Sequence, residues 1–571
     1  MFDSLRGGRL LAAAATAALV LTTTTPHASA ATATVKASVR KGVLTVTGTA
    51  YPDVVSVRLR QGDPSTLEVD LGADGTADYA FDRSLFSSIM VAGAGGADRL
   101  AADSSNGAFT DTEATTLDGG DGGDTLIGTF ATERLLGGAG DDLLSGGVGS
   151  DVVAGGDGAD TITWEPGGGS DTVDAGAGTD RLQFQASNAS EAVALAATAA
   201  GHVRLTRDIA SVSLDLVGVE AVDLRLLGGT DSVSAGDLHG TGVTTVTTDL
   251  AGPTGDDGST DELAVPPGVV VGREGDAAVV DGLGARFLVG NGGAGDRVHV
   301  VGTSAPGEPV TVAGTSSADT VTAGSDGTDV LVQGATPGLE LRLTATDRLA
   351  VLMGGGDDSY ATLGSVSGLV ALDVDGGAGA DSLAGGTGPE SLRGGDGDDV
   401  IRWAPGGGSD AVDGGNGDDH LSFSCANIGE TLDLSAEPDG HVRLARDIGA
   451  AVLDVVGIEV ANLRLLGGSD QVLVDDLTGT GLALVDADLT DASGAPDGQA
   501  DEVVLFGTTN GDQVTVAADN GAVVAQGLHP TVRVSGTDPS LDQLTVYGMR
   551  GDDSVTASPD AASLIQLALF P

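Results

Sequence analysis

The chain is 571 residues long and carries 83 acidic against 26 basic residues, a formal charge of −57. That balance excludes nucleic-acid binding through basic patches and makes cations the natural counter-ions. Hydrophobic residues at 40% in β-type alternation exclude disorder throughout, and aromatics at only 3% suit a thin aliphatic solenoid core better than a thick globular one.

At the N-terminus, Arg6 and Arg9 precede an apolar run over residues 10–21, and Ala28-Ser29-Ala30 supplies a small-x-small cleavage pattern. Residues 1–30 therefore read as a secretory signal peptide cut after Ala30. About a dozen apolar residues is short for a bilayer and no other segment reaches the ~20 required, so a secreted, extracellular protein without a membrane span after signal cleavage is expected. Cys425 is the sole cysteine, which leaves no internal disulfide to staple the fold. Residues 31–116 are expected to form an N-terminal β segment that covers the strand edge of residues 117–184.

Residues 117–184 hold nine-residue units of the form G-G-x-G-x-D-x-U-x, with U a large aliphatic. Seven run in register: 119–127, 128–136, 137–145, 146–154, 155–163, 166–174 and 175–183. A second array, within 372–423, holds five: 376–384, 385–393, 394–402, 405–413 and 414–422. Consecutive matches at a fixed period are the signature of a repeat architecture. Glycines at positions 1, 2 and 4 are expected to allow positive φ and close backbone approach, so that six residues curl with carbonyls turned toward a common point. The Asp at position 6 adds a carboxylate. Such oxygen donors suit a hard cation of six to eight ligands, Ca2+ rather than octahedral magnesium or a soft metal. Positions 7–9 predict a short strand whose inward residues (Leu126, Leu143, Val152, Ile162, Val173, Leu182, Leu383, Leu392, Ile401, Val412 and Leu421) make the core.

These arrays resemble the RTX, or hemolysin-type, calcium-binding repeat family. The resemblance implies a parallel β-roll with two nonapeptides per turn, loops n and n+2 stacked about 4.8 Å apart, and calcium between them. Carried over by position, the metal ligands would be Asp124, Asp142, Asp151, Asp160, Asp171 and Asp180, then Asp381, Glu390, Asp399, Asp410 and Asp419. Two units depart from the pattern: 128–136 lacks its second and fourth glycines and carries Glu133, and 385–393 has Glu390 in the Asp position. About eight stacked loop pairs result, with dissociation constants of about 10⁻⁴ M if they behave like other extracellular calcium modules. Most family members leave the cell without a cleaved N-terminal signal, from which this chain departs.

Between and after the arrays, residues 185–371 and 424–571 show period-2 alternation, as in His202-Val203-Arg204-Leu205-Thr206, and read as β-rich segments. Looser relatives of the loop recur at 93–100, 354–360 and 548–555. The expected fold is all-β: parallel β-roll arrays alternating with β-helix-like or β-sandwich segments, in a duplicated module. The duplication shows at an offset of 239, which relates Trp164 to Trp403, Pro166 to Pro405, His202 to His441, Arg207 to Arg446 and Asp231 to Asp470. The tryptophans sit in two-residue insertions that keep the facing of each strand, so they are expected to fill the roll core. His202 and His441 read as two copies of one strand rather than as catalytic groups. Residues 70–82 begin like an EF-hand loop with Asp70, Asp74, Gly75 and Asp78, but Phe81 stands where the bidentate Glu belongs.

Enzyme motifs are missing: there is no H-E-x-x-H, no G-x-S-x-G and no P-loop, the only lysines being Lys36 and Lys41. The reading is a secreted, non-enzymatic calcium-binding protein, an adhesive or cell-envelope matrix component with cell-surface or matrix glycans or proteins as partners. The alternatives are a calcium-stabilised extracellular hydrolase or lyase acting on polysaccharide, and an ice- or glycan-binding solenoid, although no Thr ladder repeats through the array. At the C-terminus, 552–567 repeats 357–372 at an offset of 195, which sets Pro571 opposite Gly376. A third array would begin there; either truncation, the favoured account, or protection of the last strands by a partner is expected.

Overall fold

In a computed structural model, residues 34–571 are described, except 253, 254, 256, 291, 294, 303–307 and 337. The signal peptide expected over 1–30 lies outside the described residues. The described residues fold into fifty-one strands and four short 3-10 turns, and no helix among them is long and apolar enough to cross a membrane.

The strands alternate between two sheets, so each pair of nonapeptides makes one solenoid turn. In the first array Leu126 pairs beside Leu144, Leu144 beside Ile162 and Ile162 beside Leu182 in one sheet. In the other, Leu117, Leu135, Val153 and Val173 do the same. All these pairings are parallel, so each inward aliphatic sits on the equivalent one a turn away and the core is a stack of columns. All of them are buried, a contribution of about 1.5–3 kcal/mol per large side chain.

Two inward residues expected from the period are misplaced by one. Leu143 and Val152 are 42% and 38% exposed, whereas Leu144 and Val153 are buried. Position 8 of the repeat points inward, and Leu143 and Val152, the first residues of strands Leu143–Ser145 and Val152–Gly158, occupy position 7, on the solvent side.

The intervening segments resolve the choice between β-helix and β-sandwich. Neither sheet stops at an array boundary. One runs from Lys36–Arg40 to Ser554–Ala557 and the other from Tyr79–Asp82 to Gln566–Phe570, each open at its ends. What distinguishes the segments is a recurrent return hairpin. After the first array the chain overshoots to Ala192–Ala197, comes back antiparallel through Val203–Arg207 and Val212–Val217, and so refills the gap beside Thr172–Gly178 before the solenoid resumes. The same device recurs at Val270–Glu274, Thr320–Ser325, Thr431–Ala436 and Gln513–Asp519.

The hairpins of the two module copies lie in opposite sheets, Ala192–Ala197 in one and Thr431–Ala436 in the other. Val173 and Val412, equivalent by sequence, likewise face each other's sheet. Each crossing from one sheet to the other is half a turn, and an odd number of crossings separates the copies. At the N-terminal edge an antiparallel pair, Lys36–Arg40 with Val43–Thr47, terminates one sheet, and Asp63–Leu71 with Tyr79–Asp82 terminates the other.

Candidate metal centre

The loop at 137–142 shows what each residue type does. Gly138 and Gly140, at positions 2 and 4, have φ of +118° and +126°, which side-chain-bearing residues rarely adopt. Gly137, at position 1, has no positive φ, contrary to expectation. Its role is steric: a Cβ there would lie 2.2 Å from Asp142 Oδ2 and 2.5 Å from the Gly155 carbonyl oxygen of the next turn. The position-6 carboxylate thus rests on a glycine Cα at the strand end. Loops stack through the main chain, with the Gly122 N–H donating to the Ala139 carbonyl (2.6 Å) and the Gly140 N–H to the Asp157 carbonyl (2.7 Å).

This stacking brings the position-6 side chains into columns. The backbone N–H of Asp124 donates to Asp142 Oδ1 (2.7 Å), that of Asp142 to Asp160 Oδ1 (2.9 Å) and that of Asp160 to Asp180 Oδ1 (2.8 Å). On the opposite edge Glu133 donates to Asp151 (2.8 Å) and Asp151 to Asp171 (2.7 Å). The second array repeats it: Asp381 to Asp399 (2.7 Å), Asp399 to Asp419 (2.8 Å) and Glu390 to Asp410 (2.9 Å). All eleven carboxylates expected from the repeat therefore stand on columns, together with Glu133.

One oxygen of each aspartate rung is thereby satisfied. The other is not: Oδ2 of Asp124, Asp142, Asp151, Asp160, Asp180, Asp381, Asp399 and Asp419, and both carboxylate oxygens of Glu133, are buried without a hydrogen-bond partner. Asp171, Glu390 and Asp410 are also buried, and Glu390 Oε2 accepts from the Gly386 N–H (3.1 Å). Burial, reinforced by neighbouring carboxylates, pushes Asp142 and Asp171 up to about 7. Burial likewise carries Glu390 to about 7, Asp399 and Asp410 to about 6 and Glu133 to about 8.

A buried carboxylate oxygen without a donor is costly unless a cation neutralises it. The donor set fits a hard cation such as calcium: carboxylate and main-chain carbonyl oxygens on a flexible glycine loop. No group of three or more His, Cys, Asp or Glu side chains is gathered at one point among the described residues; the carboxylates stand instead in stacked pairs along the loop edges.

The other singled-out residues fall into place. Trp164 and Trp403 are buried in the roll core, stacked on Phe184 and Phe423 at 4.4 and 4.2 Å, with Nε1 donating to the Gly169 and Gly408 carbonyls. His202 and His441 precede equivalent strands and pair at the surface with Asp215 and Asp454. The EF-hand-like stretch is a hairpin turn: Asp70 accepts from the Asp74 and Gly75 N–H groups and pairs with Arg58.

Two sets of residues escaped the sequence reading. Asp141 and Asp398, at position 5, form exposed outer rungs whose Oδ1 atoms accept from Ala159 and Asp418; the Asp-Asp doublets were the available signal. Arg207 and Arg446 grip Glu191 and Glu430 through both carboxylate oxygens in the return hairpins. Nothing in the local sequence pairs residues sixteen apart across a turn.

The RTX calcium-binding nonapeptide repeat is matched in four copies, over residues 127–162, 167–183 and 375–402. The chain carries these repeats, and RTX nonapeptide repeats bind Ca2+. No curated protein matches the chain.

Proposed function

We propose that this calcium-binding repeat protein is secreted and non-enzymatic, that its two rolls fold on binding extracellular calcium, and that it serves as an adhesive or cell-envelope matrix component. The observation that carries the reading is the column of buried, unpartnered Oδ2 atoms. The ligands would be Asp124, Asp142, Asp151, Asp160, Asp171, Asp180, Asp381, Glu390, Asp399, Asp410 and Asp419, acting in stacked pairs. When bound, the ion supplies the positive charge that lets successive carboxylates share one column.

The chain does the rest. Oδ1 of each aspartate rung fixes the preceding turn by accepting its N–H, which aims Oδ2 into the loop. A glycine at position 1 admits that oxygen in most units, as Gly119, Gly137, Gly146, Gly155, Gly376 and Gly394 do, whereas Pro166, Ala175 and Pro405 stand there in the units of Asp171, Asp180 and Asp410; the aliphatic column beneath excludes water. At dissociation constants of about 10⁻⁴ M, typical of extracellular modules, cytosolic calcium would leave the rolls open and the exterior would close them. Exposed Asp121, Asp141, Asp157 and Asp174 recur along the first roll, a spacing that suits bridging by divalent cations.

Circular dichroism and hydrodynamic radius of the full chain, measured in chelator and in several millimolar calcium, test the folding step. A gain of β signal and a compaction are expected; an unchanged chain would remove the reading. A calcium-dependent binding screen against cell-wall and matrix glycans, scored in parallel for depolymerisation, tests the adhesive role against the hydrolase or lyase alternative.

A further inference from the structure

The carboxylate columns do not begin where the nonapeptides begin. Upstream of the first array the Asp98 N–H donates to Asp124 Oδ1 (2.7 Å), and the Asp53 N–H donates to Asp98 Oδ1 (2.7 Å). Upstream of the second, the Asp358 N–H donates to Asp381 Oδ1 (2.8 Å), and the Asp319 N–H donates to Asp358 Oδ1 (2.7 Å). Both Asp98 and Asp358 are only 2% exposed. Oδ2 of each is buried and has no partner.

Their turns also stack as array loops do. The Gly96 N–H donates to the Asp121 carbonyl and the Gly356 N–H to the Ala378 carbonyl (2.7 and 2.8 Å), the position-4 to position-3 bond seen within the arrays. Gly93 admits Asp98 Oδ2 as Gly137 admits Asp142 Oδ2, a Cβ there lying 2.1 Å from the oxygen. Position 2 keeps its left-handed backbone in both turns, Gly354 at φ +102° and, at the cost of strain, Ala94 at +81°. The consensus is broken at one position in each turn: Ala94 replaces glycine at position 2 in one, and Met353, which carries a side chain, replaces it at position 1 in the other, so the close glycine contact seen at Gly93 is missing there.

We infer that Asp98 and Asp358 are cation ligands, and that each column holds one further hard divalent cation, calcium, between turn 93–98 and the loop of Asp124 and between turn 353–358 and the loop of Asp381. The inference rests on the calcium-driven folding proposed above and extends each array by one turn. It also accounts for where the second column starts. Asp319, one rung earlier, is paired with Arg273, so there the chain supplies its own cation and the ladder of unpartnered oxygens ends.

The test uses the full chain and calcium itself. Asp98→Asn and Asp358→Asn keep the Oδ1 acceptor and the side-chain volume, and remove one negative oxygen each. Equilibrium dialysis with radioactive calcium should show one fewer ion bound per single variant, or at least about a tenfold loss of affinity at one site, and two fewer in the double variant. Asp142→Asn is the benchmark within the array. Hydrogen exchange on the unmodified chain supplies a readout without mutation: turns 93–98 and 353–358 should gain protection with calcium together with the arrays. If the arrays gain protection and Asp142→Asn lowers binding, while both outer turns exchange alike with and without calcium and the two variants bind as the parent does, the inference is overturned and calcium-driven folding stands. If no region responds to calcium, both fall together.

Discussion

The stacked loops around Asp142 and the return hairpin around Glu191 solve one electrostatic problem in two ways. Each places a buried carboxylate on a column whose next rung accepts its N–H, Asp142 on Asp160 and Glu191 on Asp231. In the roll, Asp142 Oδ2 faces no positive side chain, and burial drives the acid up to about 7. In the hairpin, burial pulls Glu191 upward too, but the Arg207 guanidinium and Ser187 outweigh it and hold the acid below its ordinary value. Arg207 is itself buried and lies 5.6 Å from the Trp164 ring centroid. The second module repeats the arrangement with Arg446, Glu430 and Trp403. A solenoid turn can thus carry its counter-charge within the chain or leave it to an ion from solution. On the function proposed above, the first kind is expected to fold without an ion and the second only with one.

The largest expected effect breaks the comparison outright. In chelator the loops over 119–183 and 376–422 should lose most of their hydrogen-exchange protection, while Val203–Arg207 and Val442–Arg446 keep theirs. Equal loss in both regions would show that the guanidinium does not substitute for the ion.

Next in size is Arg207→Met, which leaves Glu191 buried and unpaired. It should cost about 3–5 kcal/mol, read as a lowered thermal midpoint in saturating calcium. The loss should not be recovered by adding more calcium unless the vacated position itself takes an ion, which dialysis would reveal.

The third prediction is the pH dependence without calcium. Burial raises Asp142 and Asp171 from 3.8 to about 7 in the folded chain. Folded values above unfolded ones mean that the protonated groups' stabilisation is fully present below about 4 and is lost as pH rises through about 7. In chelator, acidification from pH 8 to 5 should therefore compact the rolls, followed by circular dichroism. With calcium the sense reverses, because protons compete for the same oxygens, and the calcium midpoint should rise as pH falls through 6.

The smallest effect sharpens the picture within one column. Glu133, raised to about 8 by burial, is already close to neutral, so Glu133→Gln should move the calcium midpoint less than about twofold, whereas Asp151→Asn should move it about tenfold. Calcium titrations of the two variants decide it, and equal shifts would mean that Glu133 binds as an ionised ligand.

The candidate site was legible because its chemistry recurs every nine residues and each position has a separate physical duty. Reading failed where a duty survived a change of letter. Asp98 and Asp358 keep the turn and the rung, but Ala94 and Met353 interrupt the glycine pattern. It failed by one residue at Leu143 and Val152, since along a strand a single-step error exchanges inside for outside.

By itself the sequence determined the period, the ligand chemistry, the β class and the duplication, because each depends on contacts between units a fixed distance apart. Only the tertiary structure decided that both sheets run unbroken through the intervening segments, that the two copies occupy opposite sheets, and that arginines pair with Glu191, Glu430 and Asp319. Those outcomes depend on the return path of each hairpin and on the number of half-turns between copies. They are sums over the whole chain that no local repeat encodes.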